Sequence, residues 1–261
     1  MGTGAITDYI DVAQLVLYAF WIFFAGLVIY LTLESKREGF PLETTRPDGS
    51  IRYESGLLHI PEPKVYKTAF HGEFLAPHGR DMEAPVVKGE SLSGMPGTPL
   101  EPIGDPMFAD LGPGAYTMRM DVTDKTVDGK DKIVPLRIAT GFSLAHQDTN
   151  PIGLEVLGAD KHTAGTVTDA WVDRSEHMIR YLEMRTTGGR TVLLPMNFLT
   201  IHHRRFEPSW IEVEAIMAAQ FEGVPTTASP QAVTLLEEEK ITAYYGAGTL
   251  FADPRRRDPL A

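Results

Sequence analysis

Asp173, Glu176 and Arg180 stand within eight positions of one another, around a loop between two strand-like runs. Thr166 to Asp173 (TVTDAWVD) and Met178 to Arg185 (MIRYLEMR) carry the β-branched and aromatic residues of strands. Strand alternation places Arg180 on the same face as Met178, Leu182 and Met184. An arginine on an otherwise apolar face must be paired or must reach a partner, and the two carboxylates are its candidates. Two chemistries fit. The three residues form a structural salt bridge that closes the loop, or the carboxylates are titratable groups tuned by the cation and able to pass protons. The residues alone leave both open.

Other chemistry is harder to build from this chain. There is no phosphate-binding glycine loop, nucleophile elbow or HExxH. Gly246-Ala247-Gly248 lacks the strand and helix context of a dinucleotide site. Adjacent His202 and His203 would point to opposite faces of a strand and chelate poorly. His59, His71 and His78 read as surface residues of a Pro/Gly-rich stretch. With no cysteine, neither a disulfide framework nor a thiolate metal site is possible. The net charge is −11, of which Asp8 and Asp11 carry two units before the first long apolar run, leaving −9 beyond it. Such a surface repels nucleic acid and anionic head groups, so the expected partner is another protein; solubility alone explains the acidity equally well.

The element that must position everything else is that apolar run. Val12 to Leu33 holds 22 residues with no charge. As a helix it would span about 33 Å, enough for the ~30 Å hydrocarbon core of a bilayer. A signal peptide is excluded by the acidic, non-basic residues 1–11. Lys36 and Arg37 follow the span and nothing basic precedes it, so the short N-terminus (1–11) is expected outside and residues 34–261 on the cytoplasmic side. Tyr9, Tyr30, Lys36 and Arg37 are the expected lipid-interface residues. Trp21 lies mid-span, against lipid tails, a pigment or a neighbouring helix.

Residues 40–114 contain 11 Pro and 10 Gly. That density forbids long helices and leaves little regular sheet. Aromatics such as Tyr53, Tyr66, Phe70 and Phe74 argue against disorder, so residues 34–115 are expected to lie extended over a partner. From Tyr116 short strands alternate with turns. Thr187 to Arg190 is a hairpin turn returning through Thr191–Met196, and Pro195 marks a sheet edge. Phe198–His203 continues the sheet, and Trp210–Gln220 fits a strand, a helix or a mixture. A small antiparallel barrel or sandwich is expected over 116–225. A helix opened by Ser229-Pro230 and ended by Gly246 and Gly248, then a mobile Arg255–Arg257 tail, fill 226–261.

Short stretches in order along the chain resemble the H subunit of the purple-bacterial photosynthetic reaction centre. They are AFWIFFAGLVIYL (Ala19–Leu31), REGFPLE (Arg37–Glu43), PHGR (Pro77–Arg80), GDPM (Gly104–Met107), NPIGLEV (Asn150–Val156), DAWVD (Asp169–Asp173), LLPM (Leu193–Met196) and VTLLEEEKI (Val233–Ile241). The resemblance implies one transmembrane helix, a mainly-β cytoplasmic domain built on the small antiparallel barrel named after these complexes, and a short C-terminal helix. It implies a non-catalytic subunit that binds no pigment, quinone or iron itself. Bacteriochlorophyll, bacteriopheophytin, ubiquinone-type quinones and non-haem iron belong to the L and M subunits, which this chain would cap on the cytoplasmic face of the chromatophore membrane, with membrane lipids and a surrounding light-harvesting ring as further candidate partners. It further implies help in delivering protons to the secondary quinone, with the family's glutamate falling on Glu176 and its arginine on Arg180. In some members paired surface histidines mark the proton entrance. The matching stretch here, Asp121–Pro135, has Asp124, Asp128 and Asp131 instead, and carboxylates titrate at lower pH than imidazole. Because the same barrel occurs in ribosome-maturation factors, a membrane-tethered assembly scaffold is the alternative.

Overall fold

The computed structural model describes residues 11–46, 48, 50–77, 88–93, 95, 97–204 and 207–257. The readings of Tyr9, of His78 and of the chain before Asp11 lie outside them. Helix α1 runs Val12–Ser35, capped by Asp11, whose Oδ1 accepts from the Gln14 amide at 2.7 Å. None of its residues is buried within the chain. Its two aliphatic hydroxyls bond the helix backbone: Thr32 donates to the Val28 carbonyl at 2.7 Å and Ser35 to the Thr32 carbonyl at 2.9 Å. An apolar helix with none of its residues buried and its small hydroxyls closed on its own backbone is suited to lipid.

The chain divides into two compact units. The first, Met1–Val86 with Ser93–Thr98, holds α1 and two hairpins, β1 (Leu42–Thr45) with β2 (Ile51–Glu54) and β3 (Lys64–Lys67) with β4 (Glu73–Ala76). Four-residue strands cannot bury a core of their own. Tyr53, Tyr66, Phe70 and Phe74 are accordingly exposed.

The second unit begins with the hairpin β5 (Gly89–Ser91) and β6 (Leu100–Pro102). Its centre is a sheet of β7 (Ile133–Pro135), β8 (Glu155–Leu157), β9 (Thr163–Asp173), β10 (Met178–Thr186), β11 (Thr191–Pro195), β12 (Thr200–Arg204) and β13 (Glu207–Glu212). The order is β11-β10-β9-β8-β13-β12, with β7 also on β9. β8 and β13 pair in parallel; the other pairs are antiparallel. The two ends of that order are neighbours in the chain, joined through the turn Met196–Phe198. Five residue steps reach at most about 18 Å, whereas six flat strands would span about 24 Å. The sheet must therefore curl, as a barrel wall does. Pro195 closes an edge strand, as its missing N–H requires. Trp210–Gln220 is a mixture: the end of β13, then a 3-10 turn over Ala218–Gly223.

Helix α2 (Leu235–Phe251) packs on this sheet, its Tyr245 hydroxyl donating to the Leu193 carbonyl at 3.1 Å. It begins later and ends later than expected. Thr234, not Ser229, caps it, in a reciprocal pair with Glu237. It runs through Gly246 and Gly248 because bare α-carbons are needed there. A Cβ on Gly246 would lie 2.2 Å from the Pro113 carbonyl oxygen, and one on Gly248 2.3 Å from Ile216 Cγ2. The expected mobile tail is pinned as well. Arg256 donates to the carbonyls of Ala215, Gly248 and Glu214, each at 2.7 Å. Arg256→Ala should lower stability by about 1–2 kcal/mol, since charged donors to two partly buried carbonyls and one exposed one are lost. Faster amide exchange confined to residues 249–257 would be its signature, and unchanged exchange there would show the tail held by other contacts.

Candidate functional site

Five charged side chains converge at one end of the β9–β10 hairpin. Asp173, the last residue of β9, is fully buried. Its Oδ1 accepts from the amides of Ser175 and Glu176, both at 2.9 Å, which folds the loop back on itself. Its Oδ2 faces Lys132 Nζ at 3.5 Å and Arg180 Nε at 3.6 Å. Glu176 lies on the outside, with a side chain 47% exposed, 3.6 Å from Lys132 and 3.5 Å from Arg180 Nη2. Asp124 approaches Lys132 from the other side at 3.5 Å.

The loop trio expected from the sequence is thus brought together, but not on the expected face. The β9–β10 ladder slips between Ile179 and Tyr181, so Arg180 is the extra residue of a β-bulge. Beyond the slip Tyr181 pairs with Trp171 and Glu183 with Asp169, while Leu182 pairs with Ala170. Paired residues share a face. The fully buried Leu182 therefore lies on the opposite face from Tyr181 and Glu183, and the bulge rather than an apolar stripe aims Arg180 at the carboxylates.

The histidine-free stretch Asp121–Pro135 contributes unequally. Lys125 and Asp131 bridge, and Thr126 and Lys130 close a turn with Gly129 at φ 78°. Asp124 and Lys132 thus become neighbours across a short hairpin, and Asp128 is left exposed at its tip. Asp131 is locked elsewhere, accepting from Thr123 and Lys125 at 2.6 Å each; the Lys125 contact holds its pKa below the ordinary aspartate value.

Lys132 is the member sequence reasoning missed. Ile133 pairs with Asp173 in the β7–β9 ladder, so strand register alone places the preceding lysine beside the buried carboxylate. The only local signal was the short apolar run Ile133–Pro135. Burial opposes the Lys132 charge, but Asp173, Asp124 and Glu176 outweigh it and hold its pKa above the usual lysine value. A raised cation pKa adds stability that is full below the unfolded value, about 10.4, and is lost as pH rises through the folded one. Lys132→Met should therefore cost roughly 2–3 kcal/mol at neutral pH, less than the ~3–5 of a buried charge left wholly unpaired, because Arg180 remains. The gap between wild type and variant in thermal unfolding should hold from pH 7 to 9 and narrow above about pH 10; a gap independent of alkaline pH would mean that packing, not charge, carries it.

Arg180 also borders a cleft of about 630 Å³, lined by Arg119, Tyr181, Met196, Glu238 and Glu239 among others. The Tyr181 hydroxyl donates to Glu238 at 2.8 Å. Burial raises the Glu238 pKa, against the lowering pull of that hydrogen bond. Among the described residues no group of three or more His, Asp or Glu could hold a metal ion.

The expected lipid-interface residues fall in the first unit. Tyr30 is exposed. Lys36 and Arg37 are turned inward. Lys36 donates to the carbonyls of Ser55 and Leu58, and Arg37 to those of Glu62 at 2.6 Å and Ala76 at 3.2 Å while paired with Glu34 at 2.9 Å.

Comparison with known families agrees with this architecture. The family model described as the photosynthetic reaction centre, H-chain N-terminal region, matches residues 4–138, which include α1, the three hairpins β1–β6, Asp124 and Lys132. The PRC-barrel domain model matches residues 145–220, which include β8–β13 and the Asp173–Arg180 loop. With the first match alone covering more than half of its length, the chain belongs to the photosynthetic reaction-centre H-chain family, and its β domain is the barrel of that family.

Proposed function

We infer that this chain caps the cytoplasmic face of the L and M subunits and helps carry protons to the secondary quinone. The pigments, quinones and iron stay on those partners. In this reading α1 crosses the photosynthetic membrane with its N-terminus outside, Tyr30 sits at the lipid interface, and the exposed aromatics of the β1–β4 hairpins dock on the partners.

The observation that carries the proton role is the cluster of Asp124, Lys132, Asp173, Glu176 and Arg180, in which neighbouring charges stand 3.5–3.6 Å apart. Its members divide the work. Asp173, buried and accepting from two amides, positions Lys132 and Arg180. Glu176 and Asp124 are partly exposed; Glu176 is held by ion pairs alone and is the freer to turn and exchange a proton with water, while Asp124 also accepts from the Lys125 amide at 2.8 Å. A reduced quinone out of reach of bulk water needs such a relay. Asp128, at the exposed hairpin tip, fits proton collection from bulk water rather than relay.

The reading is tested by a tagged chain drawn from photosynthetic membranes in mild detergent. Bacteriochlorophyll and bacteriopheophytin absorption in fixed ratio to the chain, with light-induced bleaching, is expected. A colourless eluate from pigmented membranes would overturn it. The barrel's match as a separate module supports an assembly scaffold as the second reading, in which the chain leaves the mature complex instead of staying stoichiometric with it.

A further inference from the structure

Lys36 and Arg37 are the first residues beyond α1, and both spend their charge on the chain itself. Lys36 is only 5% exposed, and its ammonium is capped by the Ser55 and Leu58 carbonyls. Between those carbonyls Gly56 turns at φ 71°, with a position for Cβ 3.4 Å from the ammonium. Next to it stands Leu57, 101% exposed. Phe40 lies over the same ammonium, 5.4 Å from ring centre to nitrogen. The end of α1 therefore grips this loop directly, through a side chain one residue past the helix.

Position then decides what the loop meets. An apolar run that fills the ~30 Å hydrocarbon core brings residue 36 into the head-group layer, about 5–7 Å thick on each side. A loop held within one lysine side chain of that residue lies in or beside the same layer. Leu57 is a bare apolar side chain at the boundary where apolar groups gain by entering lipid. We propose that the Ser55–Leu58 loop is a second, peripheral membrane contact, with Leu57 inserted at the head-group–acyl boundary of the bilayer that α1 crosses. Because Lys36 is already capped and Arg37 already paired, the contact is apolar, and it should persist at high salt, where electrostatic attachment is screened.

This inference rests on α1 crossing the bilayer, so the test separates the two. The chain has no cysteine, and Leu57→Cys and Ile22→Cys each give a unique site for a polarity-sensitive fluorophore. Each is labelled in the full chain, co-purified with its membrane partners and reconstituted in phosphatidylcholine vesicles. The Ile22 label should lose emission to a quencher carried deep in the acyl chains; if it does not, the span itself fails. With the span intact, the Leu57 label should be blue-shifted and lose emission to a quencher carried near the head groups, in low and high salt alike. Quenching by aqueous iodide instead would place Leu57 in water and overturn the proposal. Protection from both quenchers would place it against a partner protein and overturn it equally.

Discussion

Glu176→Gln is expected to slow the second electron transfer to the secondary quinone by on the order of 10²-fold, the low end of what a positioned proton donor contributes. The low end applies because Asp124 also pairs with Lys132 and, in the proposed reading, would offer a parallel route. Primary charge separation should be unchanged, since it involves no proton uptake and none of these residues. The amide keeps the shape of the carboxylate but can neither bind nor release a proton, while Lys132, Arg180 and Asp173 stay in place. Glu176 is half exposed, and ion pairs of that kind contribute less than about 1 kcal/mol. The melting temperature of the intact chain should thus move by no more than about 4 °C. Flash-induced quinone kinetics decide the matter. Slowed second transfer at unchanged stability assigns Glu176 to the proton path. Unchanged kinetics would leave it a structural partner of Arg180. Double replacement of Glu176 and Asp124 by their amides should slow the reaction more than the product of the single effects, because each single variant leaves the other route open.

The largest stability effect is expected at Trp171. It is 1% exposed, and its indole donates to Glu183 at 3.0 Å. The same carboxylate, itself buried, accepts from Arg137 at 2.9 Å and from Thr168 at 3.0 Å. Arg137 further ties Asp169 at 2.9 Å and the Pro230 carbonyl. Trp171→Ala removes an indole from the centre of the barrel core and should cost about 3–5 kcal/mol. For a unit of this size that lowers the melting temperature by roughly 10 °C. Trp171→Phe keeps most of the volume but loses the N–H and part of the second ring, so about 1–3 kcal/mol is expected. Far-UV circular dichroism of the full chain in detergent, followed with temperature, measures both. Equal losses in the two variants would show that the hydrogen bond to Glu183, not the filled volume, dominates. A loss below about 1 kcal/mol for Trp171→Ala would mean that the core closes over the gap.

Several elements were legible because their information is local. The Val12–Leu33 run needs only its own length and lack of charge to be read as a span, and α1 covers Val12–Ser35. The hairpin was legible for the same reason. Alternation, the Gly188-Gly189 turn and the return strand lie within 35 residues, and β9 to β11 match the expected strands to within three residues at each end. The Asp173–Glu176–Arg180 trio was also legible, since one loop carries all three.

What was not legible depends on residues distant in the chain. Lys132 joins the site only because β7 pairs with β9, 40 positions away in register. Arg180 reaches Asp173 through a bulge that no pattern of alternation announces. Gly246 and Gly248 looked like helix stops. They are instead where α2 is approached by Pro113 and by the Ala215–Ile216 backbone and side chain, and a helix tolerates glycine when that packing outweighs the ~1 kcal/mol of propensity lost. Lys36 and Arg37 looked like head-group anchors, but carbonyls 19 to 39 residues further on capture them. The candidate membrane span, the family resemblance, the β hairpin and the loop that carries the carboxylates could all be read from the chain alone, because each is written in neighbouring residues. Only the tertiary structure decided which cations meet those carboxylates, how far α2 extends and where the exit arginine and lysine are spent, because these follow from strand register and close approach between segments far apart in the chain.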